Sequence, residues 1–267
     1  MTDGVIAEFA VRAVATASIV IFIAWAAVRL GPAIGGILAG LPIILAPGFY
    51  FLLHDHTPEF AARAATGSLF SLSATQVFLA AYGASARKGP LAAILFSLLA
   101  WSVVALPLSR IPHFPVVGAL LFTAVTFGLH SFGRRFLDPA QPKTAGTRWS
   151  LLILRGVAAG LLVGIVTLFA PILGSSVSGL LLAFPIGFSV VALSLHLDHG
   201  GAVAGRTTHA GLVGVSSLAV FTFVLAITLR ELSPAAAFAV ALCASLVATA
   251  LMTGMARHRQ RNGSIAS

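Results

Sequence analysis

Apolar residues run along this chain in blocks of about twenty, the length that carries an α-helix across the hydrocarbon core of a bilayer. Reading from one charge to the next gives nine such blocks: 11–29, 33–53, 60–82, 90–109, 115–132, 149–169, 172–197, 204–229 and 234–255. No charged residue lies between Arg155 and Asp198. That stretch is too long for one crossing and is read as two, with Pro171 and Gly174 at the turn. The alternation of a barrel strand is absent, and open strands would leave amides unpaired in lipid, so the blocks are predicted as helices. The longest hydrophilic segment, 133–148, "GRRFLDPAQPKTAGTR", carries proline, glycine and charge without an apolar period and reads as a loop.

Sliding the sequence on itself by 143 residues brings scarce residues into coincidence. Arg12 falls on Arg155, Gly31 on Gly174, Gly36 on Gly179 and Pro42 on Pro185. Asp55 falls on Asp198, His56 on His199, Arg63 on Arg206 and Arg87 on Arg230; after a one-residue shift, Pro90 meets Pro234. Alanine and leucine would match by composition alone, whereas Asp, His, Arg and Pro at one fixed offset indicate a duplication. Spans one to four (1–109) therefore form one repeat and spans six to nine (149–258) the other. Span five with the following loop (110–148) links them, and 259–267 is a tail. An odd helix between two four-helix units turns the second upside down. The expected fold is an all-α polytopic bundle of nine spans, built as two inverted repeats and a linker helix, an architecture recurring in secondary transporters.

Composition agrees with a bilayer as solvent: 58% of the 267 residues are hydrophobic and 9% charged, with mean hydropathy +1.02. A soluble domain carries about 25% charge. The net charge of +9 raises nucleic acid as a partner, but the 16 Lys and Arg are scattered between apolar runs and form no basic face. They read instead as topology signals. With nine spans, Arg29, Arg87, Lys88, Arg134, Arg135, Lys143, Arg148, Arg155, Arg206, Arg257, Arg259 and Arg261 fall on the side of the C-terminus, against Arg12, Arg63, Arg110 and Arg230 opposite. That asymmetry predicts a cytoplasmic C-terminus and an outside N-terminus in a bacterial inner membrane. Residues 1–10 include Asp3 and Glu8 and lack a basic region, so no cleaved signal peptide is expected. Cys243 is the single cysteine, which rules out an intrachain disulfide or a cysteine cluster.

Three features bear on function. Spans two and seven, "GPAIGGILAGLPIILAPGF" and "APILGSSVSGLLLAFPIGF", carry Pro42 and Pro185 at matching positions. Proline removes a donor and clashes with the preceding turn, and interrupted helices at equivalent places in two halves mark transporter sites; packing alone is the alternative. The second feature is Asp-His followed by Arg seven residues on: Asp55, His56, Arg63 and Asp198, His199, Arg206. Each Asp is expected to cap the next helix or pair with its Arg, or else each set forms a gate on one membrane face. The third is the polar content of spans three and eight, where Ser and Thr can join helices while Gln76 and His209, costlier in hydrocarbon, are candidates to line a cavity. All seven Asp and Glu lie near span ends or in loops. No cofactor or metal is expected: His54, Asp55 and His56 lack a completing ligand pattern, and nucleotide-binding, nucleophile-elbow and zincin motifs are absent.

The stretch "AGLPIILAPGFYFLLHDHTPEFAARAATGSLFS" (39–71) resembles the GlpM family of small bacterial inner-membrane proteins. That family has an "AGL-P…FPTFAL" run, a short polar loop and an "ALRATIIFS" helix start, with Arg63, Ala64, Ala65 and Thr66 standing where it has its Arg-Ala-Thr. The resemblance implies a fused pair of such units. The family is linked to alginate production without an agreed molecular activity, so no residue role comes with it. The residues themselves point to a small permease rather than an enzyme. Its partners would be the lipid bilayer and a small anionic solute, with homo-oligomerisation open given the small residues on helix faces. The rival is a non-transporting assembly or regulatory factor for envelope polysaccharide.

Overall fold

The structure, a computed structural model, describes residues 2–29, 42–111, 114–133 and 149–265. Every regular element among them is helical. In chain order these are α1 (Thr2–Arg29), α2 (Leu45–Asp55), α3 (Pro58–Ser85), α4 (Pro90–Leu108), α5 (Pro115–Gly133), α6 (Trp149–Leu182), α7 (Ile186–His199), α8 (Gly201–Gly214), α9 (Ser216–Thr228) and α10 (Pro234–Ile265). Proline opens α3, α4, α5 and α10, since a first-turn residue has no intrahelical use for an amide and proline presets its φ.

Among the described residues, seven helical stretches are long and apolar enough to cross a bilayer. Large apolar side chains such as Leu95, Leu99, Val103, Leu120 and Phe127 on α4 and α5 face outward, the inverse of a soluble surface. The chain is a multi-pass membrane protein. One of the seven, Trp149–His199, is 51 residues long and covers two of the expected spans. It is bent at Gly174, which sits at φ +74°, a left-handed conformation that glycine adopts without Cβ strain. Residues 30–41, including Gly31, Gly36 and the first half of the expected span two, lie outside the described residues.

Helix α3 runs through the centre, its apolar core segment 83% buried. It has no lipid-facing stripe because small residues surround it: Ala61, Ala64, Ala65, Gly67, Ser68, Ser71 and Ala74 are all buried. Without a hydrophobic drive between helices in lipid, small side chains let backbones approach and gain packing. An alanine methyl at Gly179 of α6 would run into the Ala64 carbonyl oxygen of α3, and one at Gly67 would lie 2.8 Å from the Ser176 carbonyl oxygen. Along the first leg of α6, Gly156, Gly160 and Gly164 pack in the same way against Ile21, Ala13 and Phe9 of α1.

The helix ends at the Asp-His positions differ from expectation. Thr57, not Asp55, caps α3, its hydroxyl accepting from the Phe60 amide at 3.3 Å. Asp55 pairs with Arg12 of α1 rather than with Arg63. Thr57 directly precedes Pro58 and is the residue with extended backbone, which the N-cap geometry requires.

Candidate functional site

Both proline-bearing segments are non-helical at the positions that the sequence pairs. On the first, Pro42, Ile43 and Ile44 precede the start of α2; on the second, Ala183, Phe184 and Pro185 separate α6 from α7. A helix break inside a membrane frees carbonyls on one side and amides on the other, and each must find a partner.

The carbonyls at the end of α6 are met by α3. Ser68 donates to the Gly179 carbonyl at 2.6 Å, Ser71 to Leu180 at 2.8 Å and Thr75 to Ala183 at 2.9 Å. These three hydroxyls lie along one face of α3, at i, i+3 and i+7. The amides at the start of α7 are treated differently. Pro185 is its N-cap and supplies no side-chain cap. The Ile186 amide reaches Phe184 O and the Ser189 amide reaches Pro185 O, while those of Gly187 and Phe188 make no backbone hydrogen bond.

Beside this uncapped end lies a cavity of about 250 Å³, at the small end for solute sites. Ile43, Ile44 and Leu45 wall it at the start of α2, and Leu182, Ala183, Phe184 and Pro185 at the break between α6 and α7. Leu72 and Thr75 of α3, Phe188 and Val191 of α7, and Thr207, Thr208, Ser217 and Leu218 of α8 and α9 complete most of the remainder. The hydroxyls of Thr75, Thr207, Thr208 and Ser217 already donate to backbone carbonyls. They can therefore offer lone pairs but no free proton.

Arg155 of α6 is the only charged lining residue among those described. Its Nε is shut away from solvent and has no hydrogen-bond partner. A methyl on Gly187 would lie 3.2 Å from that Nε, so the guanidinium sits against the first turn of α7. Its counterpart 143 positions earlier, Arg12, is in the opposite state. Arg12 is buried, pairs with Asp55 at 2.7 Å and with Glu8, and lies over the Phe51 ring at 5.5 Å. The positions that match Val191, Ala192, Thr207 and Thr208 are packed shut: Gly48 lies against the Leu182 side chain, and Phe49, Ala64 and Ala65 are buried.

Of the ten residues singled out from sequence, Pro185 lines the cavity, and Pro42 is buried immediately before lining residues Ile43 and Ile44. Gln76 and His209 do not line it. Gln76 donates from Nε2 to the Thr126 hydroxyl at 2.5 Å, joining α3 to α5, and leaves its Oε1 unpartnered. His209 stacks on His130, ring centroids 4.8 Å apart. His56 stacks on Phe60 at 4.2 Å, Arg63 is exposed, and Asp198 and His199 are exposed beyond the last turns of α7 that wall the cavity. Arg206 has its Nε buried without a partner, off the cavity lining.

Arg155 was not among those ten. Its signal was present in the sequence: a lone charge inside an apolar run, repeated as Arg12 at the offset of 143. Topology counting absorbed it as a juxtamembrane residue, and only the packing of α6 against α7 turns it toward the breaks. No protein-family model, curated protein or solved structure matches the chain.

Proposed function

We propose that this protein is a small secondary permease of the bacterial inner membrane, with nine crossings in two inverted repeats and a single solute site at the paired helix breaks. The observation that carries this reading is the 250 Å³ cavity lying between the non-helical residues at Pro42 and the helix interruption at Pro185, positions that the duplication relates. Discontinuous helices at a repeat interface are how transporters free backbone groups for a solute without exposing them to lipid.

With the N-terminus outside, as the Lys and Arg distribution favours, Arg155, Thr207 and Thr208 belong to the cytoplasmic half and the Arg12–Asp55 pair to the outer half. The cavity then corresponds to an inward-facing state whose outer side is held by that ion pair. The opposite state would arise when the two repeats exchange conformations. The likeness of 39–71 to the GlpM family fits here as one four-helix unit, duplicated and fused.

The test is solute flux in proteoliposomes of zwitterionic lipid, screening small carboxylates, amides, amines and sugars against empty vesicles. Saturable flux of one class is the expected result. No flux of any class from protein that remains folded and bilayer-inserted overturns the permease reading in favour of an assembly or regulatory role.

A further inference from the structure

We propose that the cavity binds a small singly charged organic anion, its negative group held between the Arg155 guanidinium and the uncapped N-terminus of α7. This deepens the permease reading by naming the class of solute.

The polarity of the second break sets the sign. Its carbonyl end is neutralised by Ser68, Ser71 and Thr75, which leaves the partial positive charge of the amide end uncompensated. That end has no side-chain cap, and the amides of Gly187 and Phe188 have no backbone partner. Both residues line the cavity. Amide donors at a helix start, aimed into a pocket, form an anion site when a full charge joins them.

Arg155 supplies that charge. A guanidinium inside a membrane protein is kept charged and must be met by an acceptor. At the equivalent position Arg12 has two carboxylates, Glu8 and Asp55. Arg155 has neither a carboxylate partner nor an acceptor for its Nε among the described residues. The same fold position is thus satisfied internally in one half and left open, facing a cavity, in the other.

The rest of the wall limits the ligand. One cation and no acidic lining residue match a single negative charge. Ile43, Ile44, Leu72, Phe184, Phe188 and Val191 make the remaining lining apolar, suited to a compact hydrocarbon body. The spent hydroxyls of Thr208 and Ser217 offer lone pairs to a hydroxyl or amide on that body.

Equilibrium dialysis of the purified full chain in neutral detergent, with radiolabelled benzoate, benzamide and benzylammonium as probes, tests this independently of transport. Benzoate is expected to bind saturably at one site per chain, at least tenfold more tightly than benzamide, with benzylammonium excluded. Arg155→Gln is expected to weaken benzoate at least tenfold and leave benzamide within twofold. Arg155→Lys, which keeps the charge, should recover part of the loss and guard against misfolding as the cause; monodisperse elution of each variant is the check. An acidic lipid headgroup as the true occupant would appear as copurifying anionic phospholipid that displaces benzoate, and would overturn the solute assignment. Equal binding of benzoate and benzamide, or benzoate binding unchanged in Arg155→Gln, overturns the anion site while leaving a permease for neutral solutes intact. Benzoate binding without flux of any solute would keep the site and remove the permease reading.

Discussion

Arg12 and Asp55 lie 2.7 Å apart and tie α1 to the end of α2, across 43 residues of sequence. Arg12 is almost fully buried, with Glu8 as a second acceptor one turn earlier. Arg155, the counterpart of Arg12, has no carboxylate partner among the described residues. If the two halves exchange roles, the pair on the first half is what holds that side shut.

Breaking it should therefore have two effects. Asp55→Asn leaves a buried guanidinium short of one partner; because Asp55 itself reaches solvent and Glu8 remains as a second acceptor, the loss should stay below about 3–5 kcal/mol, the cost for a fully buried pair. The expected outcome is a clear fall in thermal midpoint, with Arg12→Gln/Asp55→Asn losing less than the sum of the single variants. A thermal-unfolding double-mutant cycle in detergent measures it; strict additivity would mean the pair is not coupled. In membranes, the same variant should raise thiol labelling of a cysteine placed at Gly48.

The inverted repeat proposed above requires His56 and His199 to lie on different membrane faces. Cys243 is the only native cysteine and is exposed, so Cys243→Ser gives a clean background. His56→Cys and His199→Cys should then react with an impermeant maleimide from opposite sides of sealed vesicles. Labelling from the same side would remove the inverted repeat.

The α3 hydroxyls that satisfy the end of α6 should contribute modestly one at a time. Polar pairs between transmembrane helices average about 0.6 kcal/mol, with a maximum near 1.7. Ser71→Ala and Thr75→Val are each expected to fall in that range in an unfolding titration. Ser68→Ala should cost least of the three, because the Gly179 carbonyl also accepts from the Ala183 amide at 3.3 Å, and the triple variant should cost about the sum of the single ones.

Close contact at Gly179 gives the sharpest packing test. An alanine methyl there meets the Ala64 backbone oxygen, and backbone cannot yield as a side-chain tip can. Gly179→Ala should cost at least the 1–3 kcal/mol typical of overpacking. Gly128→Ala on α5, where an added Cβ meets nothing within 4 Å, should stay within about 0.5 kcal/mol of the parent. Comparing unfolding midpoints of the two variants checks the contact directly.

Much of the architecture is legible in the one-dimensional pattern, because a bilayer imposes strict rules. Helices must span with apolar side chains, so block length alone marks α4, α5 and α10. Proline cannot continue a hydrogen-bonded ladder unaided, so Pro185 marks the interruption between α6 and α7, and Pro42 the non-helical residues before α2, ahead of any packing. Gly174, at the bend of α6, is readable for the same reason. Pairing is a different matter. Which hydroxyl meets which carbonyl, whether Asp55 chooses Arg12 or Arg63, and whether Gln76 turns to Thr126 or to a cavity are decided by contacts between residues some 40 to 115 positions apart. Arg12 and Arg155 make the point most clearly. Their repeat positions are equivalent in sequence, yet one is neutralised by two carboxylates and the other faces open space, because the packing of α2 against α1 and of α7 against α6 differs. A local sequence rule sees only the residue and its near neighbours. The electrostatic state of each arginine depends on what a distant helix brings within hydrogen-bond reach.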